Sequence, residues 1–359
     1  MTIGSFVIGP DRPPFIIAEL SGNHNGSLEH ALAIVDAAAD AGAHALKLQT
    51  YTADTMTLDA RGGLFDITNP SSPWYGRNLY ELYEEAHTPW AWHAPLFARA
   101  RERGMAAFSS PFDESAVDFL LDLDVPAFKI ASFESNHHPL LRKIAATGKP
   151  VLISSGTSRI DELYEAIRVL RDGGAGKIVI FKCTSSYPAS PETTNLATIP
   201  VLQEIFPDCT IGLSDHTLGI GASVAAVALG ARVIEKHFTL RRADGGVDSA
   251  FSLEPAELRA LVEETERAYL ALGRVQLEPQ RVEQANRQFK RSIYATRDVR
   301  AGELITRDNI GVIRPGDGLH PRYYERLLGG RALVDLPFAT PLSLETVALS
   351  EASTPVSTS

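Results

Sequence analysis

Eight short apolar runs, each followed by an amphipathic or small-residue stretch, constrain this 359-residue chain more than any other feature. The runs are FIIAEL (15–20), ALKLQT (45–50), AAFSSP (106–111), AFKIAS (127–132), VLISSG (151–156), IVIFKCT (178–184), TIGLSD (210–215) and VIEKHFT (233–239). Their lengths and their Ile, Val and Phe content read as buried strands. Intervening stretches such as SLEHALAIVDAAADAG, PWAWHAPLFARARERG and IDELYEAIRVLRDGG carry apolar residues at helical spacing. Eight strand-then-helix units within about 250 residues predict an α/β fold, a closed parallel (β/α)8 TIM barrel, with an open doubly wound sheet as the weaker alternative.

Polar residues gather where these strands end: Glu19, Lys47 and Gln49, Ser109 and Ser110, Lys129 and Ser132, Ser154, Asp215 and His216, and His237. Barrel enzymes build their sites at the C-terminal ends of the strands. Wet loops account for any single serine, but not for Lys and Glu inside apolar runs.

The barrel is expected over residues 1–273 as the catalytic domain, with a linker at 274–288 whose polar sequence is helix-like. Short strands and turns then predict a small β-rich domain at 289–350, and EASTPVSTS (351–359) reads as a disordered tail. The stretch from Thr52 to about Thr88 is too long for an ordinary connection and reads as a flap or wall beside the site, or else a surface excursion.

Thirty-four Lys and Arg against 44 Asp and Glu leave a formal charge of -10, which argues against nonspecific nucleic-acid binding and against an anionic membrane surface. Any anionic ligand must meet a local cluster of cations. Two cysteines, Cys183 and Cys209, make no disulfide framework. The start MTIGSFVIGP lacks a signal-peptide pattern and no apolar run approaches a membrane span, so a cytoplasmic protein is expected.

His216 and His237 close adjacent predicted strands, and two neighbouring imidazoles suit a catalytic divalent metal with open positions. Asp215 is a further ligand or a partner that orients a histidine. Lys47, Lys129 and Lys236 lie in strand patterns where an unpaired ammonium is costly. With Ser110, Ser132, Ser154 and Ser214 they form a phosphate or carboxylate pocket, unless each is merely paired with Glu19, Glu134 or Glu235. Glu19 and Glu134 are candidates for proton transfer or for stabilising a developing cation; their other reading is to neutralise those lysines.

The segments AELSGNHNGS, ALKLQTY, YELYEEAHTPW, FSSPFD, KIASFE, ISSGTS, FKCTSSYPAS, GLSDHTLG, IEKHFTL and GGVDSAFSLEP together resemble the sialic acid synthase family, and within it the branch that makes pseudaminic acid. The resemblance spans nearly the whole chain. It implies a TIM barrel followed by an antifreeze-like (SAF) domain, and a manganese- or magnesium-dependent transferase that condenses phosphoenolpyruvate with an open-chain amino sugar. It implies that His216 and His237 hold the metal, and that Lys47, Ser110, Lys129, Ser132, Ser154 and Ser214 bind phosphoenolpyruvate. Gln49, Tyr187 and Asp248 match sugar-facing positions; Glu19, Glu134 and Lys129 match catalytic ones. Family members form a domain-swapped homodimer, and Arg314 in IRPGDGLHP matches an arginine that reaches the partner's sugar.

Two departures bear on the substrate. Ser185 stands where N-acetylneuraminate synthases tend to have asparagine, and SNHHPLL after Glu134 places His137 and His138 just past a strand end. The alternatives are an N-acetylneuraminate or legionaminic acid synthase, a Schiff-base lyase on the same barrel, and a non-catalytic sugar-binding scaffold.

Overall fold

The computed structural model describes residues 1–350; the predicted tail at 351–359 lies outside the described residues. The chain divides into two compact units, Met1–Gly273 and the residues from Arg274 on.

In the first unit a closed parallel barrel forms from β1 (Phe15–Glu19), β2 (Ala45–Thr50), β3 (Ala106–Pro111), β4 (Phe128–Ile130), β5 (Val151–Ser154), β6 (Ile178–Cys183), β7 (Thr210–Asp215) and β8 (Val233–His237). Each strand pairs with its sequence neighbours, and β8 closes on β1 with His237 opposite Glu19. All eight sequence runs therefore become barrel strands. The strands are buried almost throughout because helices cover their outer faces, which is why they read as continuous apolar runs.

The covering helices are α1 (Leu28–Asp40), α2 (Trp90–Glu102), α3 (Glu114–Asp122), α4 (His138–Ala145), α5 (Ile160–Asp172), α6 (Thr198–Ile205), α7 (Gly221–Ala228) and α8 (Pro255–Leu272). Ser27 caps α1 by accepting from the His30 amide, and Asp113 caps α3 by accepting from Ser115 and Ala116. Helix α6, between β6 and β7, is not marked by the sequence patterns: only eight residues long, it lies among prolines, serines and threonines, although Ile199 and Leu202 bury one face. Gly212 on β7 is required by close approach, since a Cβ there would lie 2.6 Å from the Val233 carbonyl and 2.8 Å from the Phe181 ring.

The long insertion folds into a short turn of helix at Ala53–Met56 and a helix at Leu79–Ala86. Asn78 staples it. Its side-chain oxygen caps that helix while its amide donates to Ala60 O, Phe65 O and Asp66 Oδ1.

The second unit has its own small core of Ile293, Val299, Ile305, Ile310, Leu327 and Leu336, around β9 (Ser292–Ala295) paired antiparallel with β10 (Ile310–Ile313). The helix-like stretch before it holds only an exposed 3-10 segment, Arg281–Phe289; with no face to bury, its polar pattern does not sustain an α-helix. Among the described residues no helix is long and apolar enough to cross a membrane.

Candidate active site

The floor at the C-terminal mouth of the barrel is a buried cluster of charges. Glu19 and Lys47 are register partners on β1 and β2, and their side chains pair at 2.8 Å. The Lys47 ammonium also lies 3.5 Å from Glu235 and donates to Ser110 Oγ at 3.3 Å. Lys129 on β4 donates to Ser154 Oγ at 2.7 Å and to Glu235 at 3.4 Å, while Ser214 donates to the same Glu235 oxygen at 3.1 Å. The alternative left open by the sequence is thus realised for both lysines, through Glu19 and Glu235 and not through Glu134.

Burial lowers the Lys129 pKa and raises that of Glu19. Burial also works to raise Glu235, but Lys129 and Lys47 outweigh it and hold that carboxyl below its ordinary value. The two lysines and the hydroxyls of Ser110, Ser154 and Ser214, with Ser132 at the neighbouring strand end, make a pocket that can grip a small anion if the anion displaces Glu235 as partner. A Cβ at Gly156 would collide with the hydroxyls of Ser132 and Ser185, so glycine there keeps the floor open.

Beside the floor stand two imidazoles. His216 lies just beyond β7 and His237 ends β8, with ring centroids 5.4 Å apart. His216 Nδ1 is 3.0 Å from the Thr184 carbonyl, which assigns that nitrogen the proton and leaves Nε2 with a lone pair. His237 Nδ1 is buried without a hydrogen-bond partner, 3.8 Å from the Asp248 carboxylate. Burial holds the His237 pKa well below its ordinary value, so the ring is a neutral donor. These two donors fit a divalent ion with open positions. No group of three His, Cys, Asp or Glu side chains disposed to hold a metal occurs among the described residues.

Asp215 takes neither of the roles expected for it. It faces the helices, where it pairs with Lys236 at 3.2 Å, so neither residue belongs to the site. Ser109 likewise faces outward, bonded to Thr50. Side chains on successive strand positions point to opposite sides, and these residues are one step out of phase with the site.

Above the floor opens a cavity of about 650 Å³ whose lining includes Gln49, Glu134, Tyr187, His237 and Asp248. Gln49 donates to Glu19 at 3.0 Å and to Ser21 at 3.1 Å, and Ser21 in turn bonds Asp248. Glu134 Oε2 is buried without a partner, and burial raises this carboxyl to about 7. The Tyr187 ring lies 4.5 Å from that of His216 and 5.6 Å from that of Trp74. His137 also lines the cavity, its Nδ1 capping α4; His138, the first residue of that helix, is not among the lining residues. Arg314 is exposed in the second unit.

Sequence reasoning undervalued Glu235, which it treated only as a possible counter-ion and which is the hub of the charged floor. Its signal was available, because Glu235 and His237 share one strand face at a spacing of two. Ser21 and the insertion's Trp74 carried no such signal, since both act through folds of loop.

With this geometry, three comparisons agree. The NeuB family model matches residues 34–277 and the SAF domain model residues 290–348. Pseudaminic acid synthase of Campylobacter jejuni is 44% identical over 342 residues, covering 95% of this chain and 98% of that one. The pseudaminic acid synthase of Helicobacter pylori is 41% identical, covering 94% and 98%. An N-acetylneuraminic acid synthetase from Leptospira borgpetersenii, solved with citrate, superposes with a TM-score of 0.71 at 34% identity, covering 80% of this chain and 94% of that one. A barrel with a lysine-serine floor and paired histidines, followed by a SAF domain and matched along almost its whole length, places this chain in the NeuB family.

Proposed function

We propose that this enzyme is a pseudaminic acid synthase, condensing phosphoenolpyruvate, 2,4-diacetamido-2,4,6-trideoxy-L-altrose and water to pseudaminic acid and phosphate. The observation that carries the chemistry is the juxtaposition of the Lys47–Lys129–Glu235 floor with His216 and His237 at one barrel mouth. The 44% identity with the Campylobacter enzyme supports the choice of sugar.

In this reading Lys47, Lys129, Ser110, Ser132, Ser154 and Ser214 hold phosphoenolpyruvate, exchanging their bonds to Glu235 for bonds to the anion. Gln49, Tyr187 and Asp248 hold the open-chain sugar above it. His216 and His237 would hold a manganese or magnesium ion, which would supply Lewis-acid polarisation of the sugar aldehyde. The methylene carbon of phosphoenolpyruvate bonds to the aldehyde carbon, whose oxygen takes a proton. The positive charge left at the enol carbon faces Glu19 and Glu134, which stabilise it. Water adds there and gives up a proton, for which Glu134, near 7, is suited. Cleavage of the carbon-oxygen bond then releases phosphate. The enzyme works in the cytoplasm as a homodimer in which Arg314 of each chain serves the sugar of the other.

The test is phosphate release from phosphoenolpyruvate in the presence of manganese, comparing the altrose with N-acetylmannosamine and the legionaminic acid precursor. Release with the altrose alone supports the proposal. Release only with another sugar transfers the same chemistry to that substrate, and release with none, in metal-replete protein, leaves a non-catalytic scaffold.

A further inference from the structure

The cavity that receives the sugar has two chemically different sides. One presents Gln49, Glu134, His237 and Asp248. The other is built by the insertion, which contributes Met56, Ile67, Trp74, Leu79 and Leu82. Of the polar groups that the insertion also brings, the Thr55 hydroxyl and the Trp74 indole are engaged within the protein. Thr55 Oγ1 accepts from the Thr52 amide and donates to the Thr52 carbonyl, both at 3.1 Å. Ser72 Oγ accepts from the Trp74 amide at 3.2 Å. Trp74 Nε1 donates to the Val247 carbonyl at 3.0 Å, which ties the insertion to the loop carrying Asp248. Tyr83 and Ser72 bring hydroxyls to the lining as well, so the apolar wall proper is Met56, Ile67, Leu79 and Leu82.

A hydroxyl carried against this wall loses water and finds no partner, whereas a methyl group loses nothing. If the aldehyde end of an open-chain sugar lies toward His216 and His237, as the proposed function requires, its far end reaches the insertion. We infer that the insertion wall is a specificity element, selecting sugars whose terminal carbon is deoxygenated, with Ile67 and Met56 as its discriminating residues. The inference rests on the proposed reaction but not on the stereochemistry of the sugar. Apolar pockets reject an added hydroxyl by at most about 100-fold, so the expected preference is about 10- to 100-fold in kcat/KM.

The experiment measures phosphate release with 2,4-diacetamido-2,4,6-trideoxy-L-altrose and with its 6-hydroxy counterpart, for the wild type and for Ile67→Thr; Met56→Thr serves if the first variant does not fold by circular dichroism. The wild type is expected to favour the 6-deoxy sugar. The variant, which offers a hydroxyl partner, narrows that preference at least about fivefold. Equal kcat/KM for the two sugars in the wild type, or a preference that neither variant changes, overturns the inference. An enzyme that uses a different aldose but still prefers its 6-deoxy form would remove the pseudaminic acid reading and keep this one.

Discussion

Asp215 and Lys236 are register partners on β7 and β8, and their side chains, both without exposed surface, pair at 3.2 Å on the outer face of the barrel. Each directly precedes a site histidine. Asp215 Oδ1 accepts from the Thr217 amide and hydroxyl at 2.9 and 2.7 Å, its Oδ2 accepts from Ser223 at 2.6 Å, and Lys236 donates to the Thr217 carbonyl. The pair thus clamps the backbone immediately after His216. Removing one partner leaves a buried charge, so Lys236→Met is expected to cost about 3–5 kcal/mol in urea denaturation. The double variant Asp215→Asn, Lys236→Met should cost less than the sum of its singles; additive losses would show that the two residues are not coupled.

Glu134 makes stability depend on pH in an unusual direction. Its folded carboxyl titrates at about 7, against 4.5 as its ordinary value. As pH rises between these values the unfolded chain releases a proton that the folded one keeps, so stability falls through that window and stays lower above it. Glu134→Gln removes the effect. Relative to wild type, the variant should gain about 2 kcal/mol between pH 5 and pH 8 in urea denaturation, while kcat falls at least about 100-fold. A stability difference that is flat with pH would contradict the raised pKa.

Glu235 neutralises Lys47 and Lys129 in the absence of an anion, at 3.5 and 3.4 Å. Glu235→Gln should therefore destabilise the free enzyme by about 3–5 kcal/mol and make phosphoenolpyruvate a stronger stabiliser than it is for wild type. Thermal melts with and without phosphoenolpyruvate check this. Equal shifts in the two proteins would mean that the anion does not replace Glu235.

His216 and His237 predict a metal requirement. Dialysis against EDTA should abolish phosphate release, and manganese should restore it. In His237→Ala, manganese binding followed by electron paramagnetic resonance should weaken by more than the roughly 10- to 100-fold typical of residues that only support a ligand. Undiminished binding would assign the ion elsewhere.

Arg314 tests the proposed dimer. Arg314→Ala should raise the KM for the sugar about 10- to 100-fold, the scale of one charge-assisted hydrogen bond, and leave that for phosphoenolpyruvate unchanged. At sugar concentrations too low for Arg314→Ala to turn over, mixing Arg314→Ala and His237→Ala chains should recover about a quarter of wild-type activity, because half the dimers would carry one intact site. No recovery after proven subunit exchange would confine each site to a single chain.

The sequence by itself determined the barrel, because a strand covered on both faces must be apolar throughout, and eight such runs alternating with helices close in only one common way. It also determined which residues sit at the mouth, since charged and polar side chains such as Lys47, Lys129 and His237 mark the strand ends. Helix α6 stayed hidden because eight residues, interrupted by a proline at the third position, carry too little periodicity. Only the tertiary structure decided the partners. Strand parity separates Glu235 and His237, which face the site, from Lys236, which does not, but pairing Lys236 with Asp215 and Lys129 with Glu235 depends on inter-strand register across residues far apart in the chain. The wall of the cavity was decided in the same way: Trp74 gains its place only when its indole meets the Val247 carbonyl, 173 residues away, and no local pattern encodes a contact of that span.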